Sequence, residues 1–129
     1  MAVKSKFVPK KTMRFAESKG PGYSVGGRVW LEKDGELYLG WGRVILLERI
    51  DEYGSLAAAA RSMNLAYRNA WLWVESMNRL APSVLVKKAS GGAGGTHVVL
   101  TEEGREAIKQ YKKLRQKFQK FLEKSEPEE

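Results

Sequence analysis

A short alanine-rich helix, a tight turn and a longer helix starting on polar side chains lead into two β-prone runs around a glycine-rich tip. That order predicts an α+β, mainly α fold: a winged helix-turn-helix. An Asp-Gly pair between two earlier β-prone runs adds an N-terminal β-hairpin, and an a/d-spaced apolar run near the end adds a long C-terminal dimerisation helix. The 129 residues fit one domain with tails, and 43% apolar content is ordinary for a chain with a real core. The expected organisation is a basic flexible arm over 1–22, a hairpin plus winged helix-turn-helix over 23–101, a long helix over 102–124 and an acidic tail over 125–129.

The elements follow in order. The arm has few periodic apolar positions and ends in Gly20-Pro21-Gly22. The runs Arg28–Lys33 and Glu36–Leu39 flank Asp34-Gly35, a pair suited to the positive φ of a tight hairpin turn. Gly40-Trp41-Gly42 then breaks the strand, and a helix is expected from about Arg43 to Tyr53, with Val44, Leu47 and Ile50 on one face and Glu48, Arg49, Asp51 and Glu52 on the rest. Gly54 suits its end and Ser55 suits the cap of the next helix, Leu56 to about Ser62, whose four alanines allow close packing. Met63-Asn64-Leu65 reads as the turn, with Asn64 left-handed. A third helix is expected from about Ala66 to Leu80, stopped before Pro82, with Ala70, Val74 and Met77 facing the core.

In a helix-turn-helix the first residues of the second helix meet base edges in the major groove. Here those residues are Ala66, Tyr67, Arg68 and Asn69. Arg68 suits either bidentate contact with guanine or a phosphate contact. Val84–Lys88 and Val98–Leu100 read as the strands of a wing, with Lys87 and Lys88 at its base and Gly92, Gly94 and Thr96 near its tip. Phosphate loops need a Lys after the glycines and a helix opening from them, and neither is present. The lone histidine, His97, has no cysteine or carboxylate cluster beside it, so it reads as a wing residue rather than a metal ligand. Trp73 reads as core; Trp71 suits either the groove-facing edge or a helix contact. Thr101 caps the long helix, on the order of 35 Å at 1.5 Å per residue, and Tyr111, Leu114, Phe118 and Phe121, with Ile108 beside them, form a seam for a second copy or for its own domain.

The charge map agrees with a nucleic-acid partner. The net charge is +8 and the pI about 9.8. Residues 1–20 hold six cations against Glu17, and residues 54–100 hold Arg61, Arg68, Arg79, Lys87 and Lys88 against Glu75 alone. Each phosphate neutralised by such cations releases counterions. The absence of cysteine excludes disulfides and fits a reducing cytoplasm, no apolar run reaches membrane-span length, and no catalytic triad, repeated metal-ligand spacing or cofactor motif is present. The expected partners are therefore double-stranded DNA and a second copy of the chain, with no membrane, no cofactor, no metal and no enzymatic activity.

These residues also resemble a family. Gly54-Ser55-Leu56 with the alanine-rich helix, Ala66-Tyr67-Arg68-Asn69-Ala70-Trp71, Met77-Asn78, the glycine-rich wing and Val99-Leu100-Thr101 with Glu103-Gly104 look like the N-terminal winged-helix domain of the ModE molybdate-responsive regulators. That domain is itself similar to the DNA-binding domain of LysR-type regulators, and the Trp30–Gly35 hairpin resembles that of small members of the group. The resemblance implies a dimeric transcription regulator whose recognition helix carries Tyr67, Arg68 and Trp71 in family positions; Ser55, Lys87, Lys88 and His97 are expected from the residues themselves to join the DNA contact. The chain departs from the full-length type, which carries C-terminal molybdate-binding domains; a sensed ligand would act through the winged domain, the dimer interface or a separate sensor protein. The alternative readings are a nonspecific architectural DNA-binding protein and a winged-helix protein-interaction module.

Overall fold

The computed structural model describes residues 16–17, 22–89 and 97–125; the wing tip with Gly92, Gly94 and Thr96, most of the expected arm and the end of the acidic tail lie outside them. The elements run β1 (Ala16–Glu17), β2 (Gly26–Gly27), β3 (Leu31–Lys33), β4 (Glu36–Leu39), α1 (Trp41–Tyr53), α2 (Leu56–Ser62), α3 (Tyr67–Leu80), β5 (Val86–Lys88), β6 (Val98–Leu100) and α4 (Glu102–Lys124). The strands form three antiparallel pairs, β1 with β2, β3 with β4 and β5 with β6. The fold is α+β and mainly helical, with the expected hairpin before α1 and the long helix last.

The hairpin turn follows its two residues. Asp34 and Gly35 have φ of 52° and 82°, the paired positive values of a type I′ turn. Lys33 faces Glu36 and Glu32 faces Leu37; an irregularity then brings Leu31 opposite Leu39. The strand ends before Gly40-Trp41-Gly42 as expected, but the helix opens at Trp41 rather than at about Arg43. Gly40 is extended and caps α1, and its carbonyl accepts the Val44 N–H at 3.0 Å, so the strand ends and the helix begins on one residue. Gly42 sits inside the helix, where a Cβ would meet the Trp73 ring at 3.4 Å, an ordinary van der Waals contact.

Helix α1 is the centre of the molecule, in contact with α2, β6 and α4. Val44, Leu47 and Ile50 are buried as their spacing predicts, but Ile45 and Leu46 are buried too, since the helix is covered on several sides. Arg49, expected on the solvated face, is 7% exposed; its guanidinium donates to the Tyr53 hydroxyl at 3.4 Å and stands 4.0 Å from Glu52. Gly54 ends α1 at φ 66°, Ser55 accepts the Ala58 N–H at 3.1 Å, and Asn64 takes φ 53° in the turn after α2. Buried Ala59 and Ala60 let α2 lie close to its neighbours, while Ala70, Val74, Met77 and Leu80 seat α3 on the core.

Thr101 caps α4 by accepting the Gly104 N–H at 3.0 Å and donates back to the Val84 carbonyl at 2.8 Å. Glycine at 104 is obligatory here: a Cβ would stand 2.5 Å from the Leu85 carbonyl oxygen and 2.4 Å from the Leu100 side chain. Two expectations need correction along α4. Tyr111, placed in the seam for a second copy, is 1% exposed; it packs beside Trp41 and donates to the Val29 carbonyl at 2.8 Å, leaving no surface for a partner. Ala16–Glu17, read as arm, instead pairs with Gly26–Gly27 and contacts α4.

Candidate nucleic-acid interface

The first turn of α3 is open. Ala66 caps it with extended backbone and no side-chain bond, no acidic residue follows in that turn, and Tyr67, Arg68 and Asn69 are all exposed. Uncapped N–H groups at a helix start attract anions, and here they stand with a guanidinium, a phenol and an amide. Arg68 is in no ion pair among the described residues. Opposite the buried Ala70–Val74–Met77 stripe, the outer face of the helix carries Arg68, Leu72, Glu75 and Arg79, all exposed.

The last turn of α3 is tied to three elements. The Asn78 side chain accepts the Leu85 and Val86 N–H groups at 2.8 and 3.2 Å and donates to the Val86 carbonyl at 2.8 Å, fixing the wing base to the helix. Arg43 of α1 donates to Ser76 Oγ at 3.1 Å and to the Leu37 carbonyl at 3.0 Å, with its guanidinium 5.9 Å from the Trp73 ring centre; burial holds its pKa below the ordinary guanidinium value. Arg79 makes a bidentate pair with Glu36 of the hairpin at 2.8 and 2.9 Å. The Arg79 hydrogen bonds hold the Glu36 carboxyl below the usual carboxylate range and raise Arg79 in turn.

The wing base flanks the open turn. Lys87 and Lys88 are exposed, and the Lys88 ammonium lies 5.8 Å from the ring centre of half-buried Trp71, a cation–π contact that joins two residues singled out from sequence. Ser55 and exposed His97 form a β-bridge, the His97 carbonyl accepts the Ala89 N–H at 3.0 Å, and the Val98 N–H reaches Gly54 O at 3.3 Å. The Ser55 hydroxyl is engaged as the α2 cap. Trp73 packs against the core, as its position predicts. The positioning roles of Asn78 and Arg43 were not read from sequence. The available signal was that Asn78 follows a core methionine on the wing side of α3.

Where α1 meets α4, several charges are paired. Arg105 bridges Asp51 at 3.2 Å and Glu102 at 3.5 Å, Lys112 pairs with Glu48, and the Arg115 guanidinium lies 4.3 Å from the Trp41 ring centre. Further along α4, Ile108 and Leu114 are half-buried, Phe118 stacks on Phe121 at 6.3 Å between ring centres, and Phe121 is 61% exposed. Among the described residues no group of three or more His, Asp or Glu is placed to hold a metal ion, and no helix is long and apolar enough to cross a membrane.

No protein-family model matches the chain. Curated relatives do. Molybdenum transport protein ModE of Azotobacter vinelandii is 36% identical over 96 residues, 74% of this chain and 36% of that protein. DNA-binding transcriptional dual regulator ModE of Escherichia coli K12 is 37% identical over 81 residues, 63% of this chain and 31% of that protein. Molybdenum-pterin-binding protein MopB of Rhodobacter capsulatus is 42% identical over 83 residues, 64% of this chain and 30% of that protein. The chain is homologous over part of its length to ModE and Mop proteins, and it spans about a third of the length of these relatives.

Proposed function

We propose that this chain is a sequence-specific regulator of transcription that binds duplex DNA with the start of α3 in the major groove and the wing on the sugar–phosphate backbone. The observation that carries the reading is the open first turn of α3: Tyr67, Arg68 and Asn69 are exposed on an uncapped helix start flanked by exposed Lys87 and Lys88. Arg68 supplies bidentate contact to guanine O6 and N7, while Tyr67, Asn69 and Trp71 with its Lys88 neighbour line the groove edge. Lys87, Lys88, His97 and the wing residues Gly92, Gly94 and Thr96 approach phosphates, with Ser55 holding the α2 start beside them. The Escherichia coli relative named as a DNA-binding transcriptional regulator supports the same reading.

The acting species in this reading is a homodimer joined along α4 through Ile108, Leu114, Phe118 and exposed Phe121, which sets two α3 helices roughly 34–36 Å apart, or a multiple of that, on an inverted repeat. No effector belongs to the proposal, because the molybdenum in the relatives' names attaches to proteins of which this chain spans about a third.

Selection of bound fragments from a random duplex library, at low and at near-physiological salt, tests it. Enrichment of an inverted repeat that survives the higher salt is the expected result. Binding without enrichment, lost steeply with salt, would replace sequence reading by an architectural role. A chain that binds no duplex at either salt would make a protein partner the leading reading, and sedimentation as a monomer at micromolar concentration would remove the dimer.

A further inference from the structure

The outer face of α3 continues beyond the open turn with two side chains that the fold leaves without a structural role. Leu72 is 48% exposed and stands outside the core cluster, although its neighbours Trp71 and Trp73 both pack on that core. Leu72 is one of eight large apolar side chains exposed among the described residues, and what sets it apart is that it stands in line with Arg68 on the outer face of α3. Glu75 is the one acid between residues 54 and 100. It is exposed and forms no ion pair or hydrogen bond among the described residues, and Arg79, the cation one turn on, is held by Glu36.

Arg68, Leu72 and Glu75 lie at i, i+4 and i+7, on one line along the helix. Seven residues at 1.5 Å span about 10 Å, close to three base-pair steps at 3.4 Å. The chemistry along the line changes in kind: a five-donor fork, an apolar branched tip, then an acceptor-only carboxylate. A carboxylate facing phosphates would be repelled, so on a face directed at duplex DNA it fits only where an amino group meets it. Base edges offer that group on cytosine N4 and on adenine N6, but adenine sets its N7 acceptor beside the amino group and repels a carboxylate, which leaves cytosine; thymine C5 offers a methyl group for Leu72. Beyond Glu75 the line ends at Arg79, where the hairpin is latched across the helix.

We infer that Leu72 and Glu75 are specificity-determining residues: Leu72 packs on a thymine methyl and Glu75 accepts from a cytosine amino group, in register with Arg68. The inference rests on the proposed duplex-DNA reading and adds two base positions to it.

The test uses the full chain as wild type, Leu72→Ala and Glu75→Gln, each confirmed to melt like the wild type, in the same library selection at near-physiological salt. Gln pairs with adenine where Glu pairs with cytosine, so Glu75→Gln is expected to move one position of the selected site from C to A by about tenfold and leave the others unchanged. Replacing thymidine by deoxyuridine at the adjacent position is expected to weaken wild-type binding by a few-fold, and Leu72→Ala binding not at all, since both changes remove the same methyl contact. If the wild type selects a defined site and Glu75→Gln selects the identical one, the inference falls while the DNA reading stands. If Leu72→Ala keeps the deoxyuridine penalty, the leucine assignment falls. A wild type that selects no sequence overturns both the inference and the reading beneath it.

Discussion

The two ends of α3 are built in opposite ways. Its first turn is uncapped and its polar side chains point out with no ion pair among the described residues, whereas its last turn is bonded to the wing through Asn78, to α1 through Ser76 and to the hairpin through Arg79. Both ends carry polar residues in comparable number, so composition does not separate them. What separates them is whether neighbouring elements supply partners. A helix fixed at one end by side-chain bonds to three elements presents the other end as a rigid probe, which is the arrangement a binding constellation needs to keep its geometry.

Breaking the tied end has the largest expected effect. Asn78→Ala removes three hydrogen bonds and leaves the Leu85 and Val86 N–H groups half-buried without a partner, a loss of about 3 kcal/mol in urea unfolding. An unfolding free energy within 0.5 kcal/mol of wild type would mean the wing base does not depend on this side chain. Gly104→Ala attacks the same junction from the far side, because its methyl meets the Leu85 carbonyl; about 2 kcal/mol is expected, against the small helical gain that alanine brings elsewhere.

Breaking the open end inverts the pattern. Arg68→Ala is expected to leave thermal stability unchanged while costing roughly 1–3 kcal/mol of discrimination between the selected site and a single-base mismatch. A uniform loss on all sequences would assign Arg68 to phosphate instead. The smallest effect belongs to the exposed latch. Glu36 is held at lowered pKa by Arg79, so its contribution is present above the ordinary carboxylate pKa and disappears as pH falls through the lowered value. Glu36→Gln should therefore be slightly less stable than wild type at neutral pH, with the two converging in acid; parallel curves across the acid range would rule the latch out as a source of stability.

Local rules make most of the fold legible in the sequence. The Asp34-Gly35 turn, the Gly54 and Ser55 boundary, the left-handed Asn64 and the Thr101 cap each rest on chemistry within a few residues, and each appears where that chemistry predicts. The exposed Tyr67-Arg68-Asn69 start was legible from the same kind of pattern. What was not legible depends mainly on distant partners. The helix opens at Trp41, two residues before the expected Arg43, because a glycine at 42 gives no local sign that a helix runs through it. Arg49 has the composition of a surface residue, and only the packing around α1 buries it. Tyr111 fits an a/d seam equally well whether its ring meets a second copy or Trp41, and the Val29 carbonyl that receives its hydroxyl lies 82 positions earlier.

Sequence distance gives the ties of α3 an order in time. Asn78 reaches partners only seven and eight positions away, whereas Ser76 meets Arg43 across 33 positions and Arg79 meets Glu36 across 43. Closing a longer loop costs more chain entropy, so contacts of short separation tend to form before those of long separation. The helix and the first wing strand are thus expected to assemble as one nucleus, with the hairpin docking afterwards. In kinetic terms, Asn78→Ala should slow folding, and Glu36→Gln should act chiefly on unfolding. The reverse assignment would make the hairpin the folding template. On the expected order, the probe and its wing take shape before the clasp behind them shuts.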